Sequence, residues 1–269
     1  MRLFHPIPTW LIAVFAAGAL AEFSSAADIA APLSAGQLAS QLSALRQNGA
    51  SYVRLRMEIK GAKPETLQLQ IKQRLTRNSS EVVYQVLFPK ERKGEAVLLK
   101  RAGNRAAGGS SFTPPDTVRA ISDINEPLFG SDLTYEDVID NFYAWKQQAI
   151  VGTETVEGVP CQILESKPGK GERSSYARVR SWIDTGRMVP LRVEKYSASG
   201  QLLHRIDTTR VITDDDGHRI PANLIVSRPG QDSITELEGS RITHGVIYAD
   251  LEFTPGGLKE VTAPRSAPN

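Results

Sequence analysis

The residues best suited to acid–base or metal chemistry are three histidines, His204, His218 and His244, that follow the N-terminal apolar run. None of them lies at the spacing of a metal-binding pair. The acidic run 214–216, beside His218, resembles a calcium loop in charge but lacks the glutamate that such a loop needs. A solvated turn is the simpler interpretation of this run. The sequence therefore predicts no metal site and no cofactor.

Nucleophile and phosphate-binding motifs are absent as well. The sequence contains no Gly-x-Ser-x-Gly elbow, the usual nucleophile signature of a hydrolase triad. The glycine- and serine-rich run 108–111 lacks the lysine and the following helix of a phosphate loop. Arginines between Tyr176 and Trp182 could face phosphates, but they alternate with apolar residues and are more simply a solvated outer face. The sequence therefore favours a protein without catalytic residues.

Composition and charge indicate an ordinary globular protein. The chain has 269 residues, of which 41% are hydrophobic and 23% charged, and its formal net charge is +2. This charge is too small to favour a nucleic-acid partner. The only cysteine, Cys161, lies in an apolar strand-like run and is expected to be a small core residue. An internal disulfide is impossible, and we expect a monomer.

The first 27 residues have the features of an export signal. An uninterrupted apolar run from Trp10 to Ala21 is too short for a comfortable membrane span, and small residues follow it. We expect cleavage after Ala26 or Ala27, which would release a soluble periplasmic protein. The predicted mature chain comprises one domain, residues 28–262, and a loose tail, residues 263–269.

Alternation of apolar and polar residues predicts mainly β structure. Between Tyr52 and Lys60 one side of the predicted strand is apolar and the other is charged. Such a strand belongs to an antiparallel sheet with one dry and one wet face. The predicted dry face consists of Val53, Leu55, Met57 and Ile59, then Leu67, Leu69 and Ile71, and later Val179, Ile183, Leu191 and Val193.

Ten or eleven such strands, two helical interruptions and no alternation of strands with helices predict a single large antiparallel sheet. A sheet of this size with one apolar face should curl on itself into an incomplete barrel, with short helices covering what remains open. The stretch 102–115, rich in glycine, serine, alanine and proline, is predicted to be a loop.

Turn residues, a helix start and apolar anchors coincide between Pro127 and Val138. Thr134 and Asp137 fit a capping box, and the following helix would carry Phe142 and Trp145. This helix could be a lid that crosses the sheet or could merely plug one end of it. The motif residues are Gly130, expected at positive φ, Asp132, expected to accept amide hydrogens, and Ser131, Tyr135 and Asp137.

The run from Phe129 to Asp137 resembles the hallmark of the bacterial outer membrane lipoprotein-sorting protein family, whose fold is similar to the LolA and LolB carriers. Weaker matches follow in the same order at 158–164, 176–184, 190–200 and 250–258. The resemblance implies a half β-barrel with a helical lid. It also implies a periplasmic carrier of lipid or lipoprotein acyl chains, with an inner-membrane exporter and an outer-membrane acceptor as partners.

Two helices are too few to cover some ten strands, so part of the dry face should remain as a ligand-binding pocket. We expect this pocket to accept acyl chains, with Phe142 and Trp145 on the covering helix. The alternative is an interior filled by large side chains, as in small barrels. A second functional hypothesis is a periplasmic sensor or adaptor that docks a protein partner without catalysis.

Overall fold

The computed structural model describes residues 33–45, 49–76, 79–103, 105–240 and 242–265, so the predicted export signal lies outside the described residues. The described part of the chain contains helix α1 (Ala35–Leu45) and the short helix α2 (Tyr135–Ile139). It also contains 3₁₀ turns at Leu128–Gly130, Phe142–Ala144, Asp250–Phe253 and Gly257–Lys259. The strands are β1 (Ala50–Lys60), β2 (Glu65–Leu75), β3 (Ser79–Phe88), β4 (Ala96–Ala102), β5 (Gly108–Thr113), β6 (Thr117–Ile121), β7 (Gln147–Val156), β8 (Val159–Lys167), β9 (Arg178–Asp184), β10 (Val189–Tyr196), β11 (Leu202–Thr213), β12 (Arg219–Ser227), β13 (Ile234–Gly239) and β14 (Thr243–His244).

All fourteen strands belong to one antiparallel sheet, which confirms the predicted fold class. The order is β6-β5-β4-β3-β2-β1-β13-β12-β11-β10-β9-β8-β7, with β14 paired to β1 beside β13. In the described residues β6 and β7 do not pair, so the sheet is not closed into a barrel. These two strands follow each other in sequence but lie at opposite edges. The connection between them, residues 122–146, must therefore cross the sheet, and we call it the crossing segment.

The crossing segment and α1 cover one face of the sheet, here called the inner face. Two apolar clusters lie beneath them. The first joins the inner face of β1–β4 to Leu128, Leu133 and Ile139 of the crossing segment. The second joins α1 to Phe142, Trp145 and strands β8–β10. Ser34 caps α1, because its hydroxyl accepts the Gln37 backbone N–H and its own backbone N–H donates to the Gln37 side-chain oxygen.

The outer face of β2–β5 is also covered, which the alternation in β2 did not predict. Residues 248–262 lie on it and bury Phe253 and Leu258. Lys72, expected in solvent, is 3% exposed and pairs with Glu252 at 2.7 Å. Within the predicted tail, Arg265 forms a bridge with Ile247, and residues 266–269 lie outside the described ranges.

The prediction of a loop over 102–115 is wrong for its second half, because Gly108–Thr113 forms β5 between β4 and β6. A Cβ at Gly109 would lie 1.9 Å from the carbonyl oxygen of Leu98. The strand therefore needs a residue without a side chain at this position. Composition alone hid the strand, since glycine and serine are more typical of loops.

Candidate functional site

A cavity of about 430 Å³ separates the inner face from its covering elements. All but four of its lining residues are apolar or aromatic, and the four are Gln73, Asp137, Lys195 and Arg219. Several apolar lining residues remain partly exposed rather than fully buried. The inner face is thus not completely filled by side chains. These partly exposed residues are Leu45, Leu55, Val138, Met188, Ile206, Ile220 and Leu224.

Five of the thirteen predicted pocket residues line this cavity: Leu55, Met57, Ile71, Phe142 and Val193. Seven others face the same side of the sheet or cover it but pack within the apolar clusters. In the first cluster these are Val53, Ile59, Leu67 and Leu69, and in the second Trp145, Val179 and Ile183.

Leu191 is the predicted pocket residue on the opposite side of the sheet. It packs with Trp182 and Val189 in an outer cluster. A β-bulge between Pro190 and Arg192 shifts the register against β9, so Pro190 and Val193 line the cavity instead. An extra residue of this kind reverses which side chains face inward. Simple alternation could not reveal it.

Several cavity residues lie where sequence reasoning did not look for them. Leu42 and Leu45 come from α1, and Ile206, Ile220 and Leu224 come from β11 and β12. The leucine spacing of α1 is typical of an amphipathic helix, but it does not indicate the surface against which the apolar face packs. The later strands were recognised, but their inward residues were not added to the predicted pocket.

A second cavity of about 250 Å³ adjoins the first. Both are lined by Leu45, Gln73 and Val138. The smaller cavity is more polar, since its lining also includes Asn141, Asp214 and His244. The inner space therefore has an apolar part beneath α2 and a polar part near the β11–β12 turn.

The crossing segment begins its covering path with an unusual turn. Phe129 has φ 53° and Gly130 has φ 84°, so two successive residues are left-handed. The expected positive φ at Gly130 is confirmed. A left-handed conformation is strained for a phenylalanine. The Phe129 ring lies 5.9 Å from the Arg92 guanidinium. The turn points Leu128 into the core while the chain reverses at Ser131, whose hydroxyl accepts the Leu133 amide hydrogen.

Asp132 ties the crossing segment to β13. Its carboxylate accepts hydrogen bonds from the hydroxyls of Ser233, at 2.6 Å, and Thr235, at 2.8 Å. The Asp132 side chain was expected to accept amide hydrogens, but in the described residues its partners are these hydroxyls. Thr134 instead caps α2, with Asp137 completing the predicted capping box. The predicted longer helix ends at Ile139, since Asp140 is already extended.

Asp137 forms a second tie, to β10 and β11, and its side chain is fully buried. One carboxylate oxygen accepts hydrogen bonds from Lys195 Nζ and from the Tyr176 hydroxyl, each at 2.7 Å. The other lies 2.7 Å from His204 Nδ1. Burial alone would raise the pKa of Asp137, but the charge of Lys195 and the contacts with His204 outweigh it and lower the pKa far below its usual range. Burial beside this carboxylate raises the pKa of Tyr176 well above that of free tyrosine.

A third tie joins the end of α2 to β4, where Arg101 pairs with Asp140. Tyr135 meanwhile packs into the first apolar cluster. Polar ties to β4, β13 and β10–β11 hold the crossing segment at points spread across the sheet. They favour a fixed cover over a mobile lid for this segment.

A sequence profile for a family described only as an uncharacterized protein matches residues 79–260. The chain belongs to this family. A comparison with curated proteins finds no match.

Three solved structures share the fold of this family member. A DUF1329 family protein from Desulfovibrio piger has a TM-score of 0.76 and 23% identity, covering 83% of this chain and 97% of its own. A domain described as an outer membrane lipoprotein-sorting protein from Vibrio parahaemolyticus has a TM-score of 0.74 and 21% identity, with 82% and 97% covered. A LolA superfamily protein from Nitrosomonas europaea has a TM-score of 0.66 and 17% identity, with 83% and 98% covered. The fold is therefore LolA-like.

Proposed function

We propose that this protein is a periplasmic carrier that binds the acyl chains of a lipid or lipoprotein and transfers them toward the outer membrane. The observation that carries the proposal is the largely apolar cavity of about 430 Å³ on the inner face. Its volume lies in the usual range for small-molecule sites, which also tend to be mostly apolar. The LolA-like fold, shared with a domain described as lipoprotein-sorting, supports the same conclusion.

The cavity needs no catalytic group for this role. An acyl chain of about 15 methylenes gains roughly 12 kcal/mol on leaving water, at about 0.8 kcal/mol per methylene. A bilayer offers the same gain, so a carrier has only to match it approximately. A weakly specific apolar wall is sufficient, and the protein acts without chemical turnover.

The cellular context completes the proposal. The mature chain starts near residue 28 and works as a monomer that receives cargo from an inner-membrane exporter and delivers it to an outer-membrane acceptor. None of the helices in the described ranges is long and apolar enough to cross a membrane.

The decisive experiment places a charge in the cavity wall and the same charge on the other side of the same strand. Leu224 of β12 lines the cavity, while its neighbour Ile225 lies opposite Asp207 and Glu236 in the adjoining strands. An arginine at 225 would meet two carboxylates, whereas an arginine at 224 would meet apolar side chains. The two variants therefore differ mainly in which side of β12 receives the charge.

We expect Leu224→Arg to weaken binding of a fluorescent fatty acid at least tenfold and Ile225→Arg to change it less than about twofold. Melting temperatures would verify that both variants fold. A parent protein that binds no lipid probe, or a Leu224→Arg variant that folds and binds as the parent does, would refute the carrier. Formation of a stable complex with a periplasmic protein in the absence of lipid would favour the adaptor hypothesis instead.

A further inference from the structure

Three potential metal ligands from separate parts of the sequence meet at the end of the β11–β12 hairpin. Asp214 directly follows β11, and His218 directly precedes β12. His244 ends β14 and pairs with Ser51 at the start of β1. The sequence separates His218 from His244 by 25 residues, which hid their proximity. Sheet pairing brings them to the same carboxylate.

Asp214 is positioned by the turn that it begins. Its Oδ1 accepts the backbone N–H groups of Asp216, at 3.1 Å, and of His218, at 2.8 Å. Its Oδ2 is buried and accepts no hydrogen bond from any described residue. The side chain is only 1% exposed. A buried carboxylate oxygen without a donor is costly, so the site calls for a cation or donor.

The two histidines face this oxygen. His218 Nδ1 lies 3.6 Å from Asp214 Oδ2, and His244 Nε2 lies 3.4 Å from the same atom. Within the described part of the chain neither nitrogen has a hydrogen-bond partner. Donor atoms about 2.1 Å from a tetrahedral zinc ion lie roughly 3.4 Å from one another. Each nitrogen–oxygen separation therefore resembles the distance between two ligands of one ion more than a hydrogen bond.

Asp216 places a second carboxylate near Asp214 and His218. One ligand atom each of Asp214, Asp216 and His218 lie within 4.8 Å of one another, whereas His244 lies outside this group. Asp216 is exposed and the His218 side chain is 42% exposed, so both can adjust to an ion. Two imidazoles with carboxylates suit zinc, whereas calcium requires six to eight oxygens.

We propose that Asp214, Asp216 and His218 bind a Zn²⁺ ion, with His244, whose imidazole turns toward the ion, as the fourth ligand. The ion would neutralise the buried Asp214 oxygen and connect the β11–β12 turn to β14. Asp214 and His244 also line the smaller cavity, so bound zinc would fix one end of the space beneath the crossing segment. This site is independent of the acyl cavity and of the carrier proposal.

Zinc titration by calorimetry tests the proposal, using the purified chain made without a histidine tag. We expect one Zn²⁺ per chain, and a Zn²⁺-dependent rise in melting temperature because only the folded chain assembles the ligands. His244→Gln and His218→Gln should each weaken binding at least about tenfold, since even indirect partners of zinc ligands commonly matter that much. Asp215→Asn is the matched control, because it removes the same charge from the same turn without removing a proposed ligand. It should change the affinity less than about twofold.

Co²⁺ provides a second readout, since its visible absorption reports nitrogen and oxygen ligands in a tetrahedral site. The band should appear with the parent and with Asp215→Asn and be absent from His244→Gln, with circular dichroism establishing that each variant folds. The proposal fails if the parent binds no Zn²⁺, if Ca²⁺ binds more tightly than Zn²⁺, or if both folded histidine variants bind Zn²⁺ as the parent does.

Discussion

Lys195 of β10 and Asp137 of α2 form an ion pair at 2.7 Å in which the two side chains are 2% and 0% exposed. The pair joins the crossing segment to a strand far from it in sequence. The Lys195 ammonium also lies 4.9 Å from the Tyr176 ring and 5.6 Å from the Phe142 ring. Lys195, which lines the cavity, thus contacts one carboxylate and two aromatic rings.

Breaking this pair should destabilise the fold strongly. Lys195→Met leaves the Asp137 carboxylate buried without its cation, and loss of one partner in such a pair costs about 3–5 kcal/mol. Urea unfolding would measure the change. Lys60→Met is the matched control, because it breaks the exposed pair with Glu236 and should cost far less. Equal losses in the two variants would contradict the role given to the buried pair.

Asp137 should also make stability depend on acidity. Its pKa is lower in the folded chain than the value of about 3.9 in an unfolded one. A carboxyl of this kind contributes stability above the unfolded pKa and loses that contribution as the pH falls from about 4 through the folded pKa. Urea unfolding at a series of pH values should show this decline in the parent. Asp137→Asn should show a shallower decline, and parallel curves would count against the assignment.

Gly130 should respond to substitution through its backbone alone. No atom lies within 4 Å of a Cβ built there, so alanine meets no clash but must adopt φ 84°. Gly130→Ala should lower the free energy of unfolding by about 1 kcal/mol. Gly36→Ala in α1 also meets open space but has no positive φ, and it should raise stability by about 0.4–1 kcal/mol. Stability changes of the same sign at both positions would show that the positive φ at Gly130 does not determine the effect of the substitution.

Asp132 should behave as a cross-link to β13. Asp132→Ala removes the acceptor of two hydroxyl hydrogen bonds and should cost about 2–3 kcal/mol. Thr235→Val should cost much less in the Asp132→Ala background than in the parent, because the two side chains share a bond. The stability loss caused by Thr134→Ala, which removes the α2 cap, should by contrast be the same in the parent and in the Asp132→Ala background. Additive effects for both pairs would argue against the cross-link.

Cys161 should be unreactive in the native state. It is 3% exposed, and burial raises the pKa of its thiol, so little thiolate is available. Ellman's reagent should modify the folded chain far more slowly than the urea-unfolded chain, in which one thiol per chain reacts. Rapid, complete reaction of the folded protein at neutral pH would contradict the buried position.

The sheet was predictable because its strands carry their burial pattern locally. In β1 the apolar residues Met57 and Ile59 alternate with exposed Arg56 and Lys60, as binary patterning requires. The hairpin turn at 157–158 also has a local sequence signal, because Gly158 lies between two strand-like runs; in the structure Glu157 and Gly158 both take the positive φ of a tight turn. Strand β5 was missed because Gly109 is required by the close approach of the Leu98 carbonyl in the neighbouring strand. No local sequence pattern encodes that contact.

The candidate site was less predictable because it depends on distant parts of the chain. Asp137 was recognised as the capping-box partner of Thr134, but its other partners Lys195 and His204 lie 58 and 67 residues away. Leu69 was assigned to the pocket because it faces inward, yet neighbouring strands enclose it completely. Inward direction follows from alternation, whereas the boundary between filled core and cavity follows from how the crossing segment packs.

The adjacency of β1 and β13 has a consequence for the order of folding. Strands β1–β6 and β7–β13 each form successive hairpins with short sequence separations, whereas Met57 pairs with Leu237 across most of the chain. Contacts between distant residues close a long loop and tend to limit the folding rate. We therefore expect β1–β6 and β7–β13 each to form their local hairpins before β1 pairs with β13. Residues of both groups of strands line the cavity, so the cavity forms only when β1 pairs with β13.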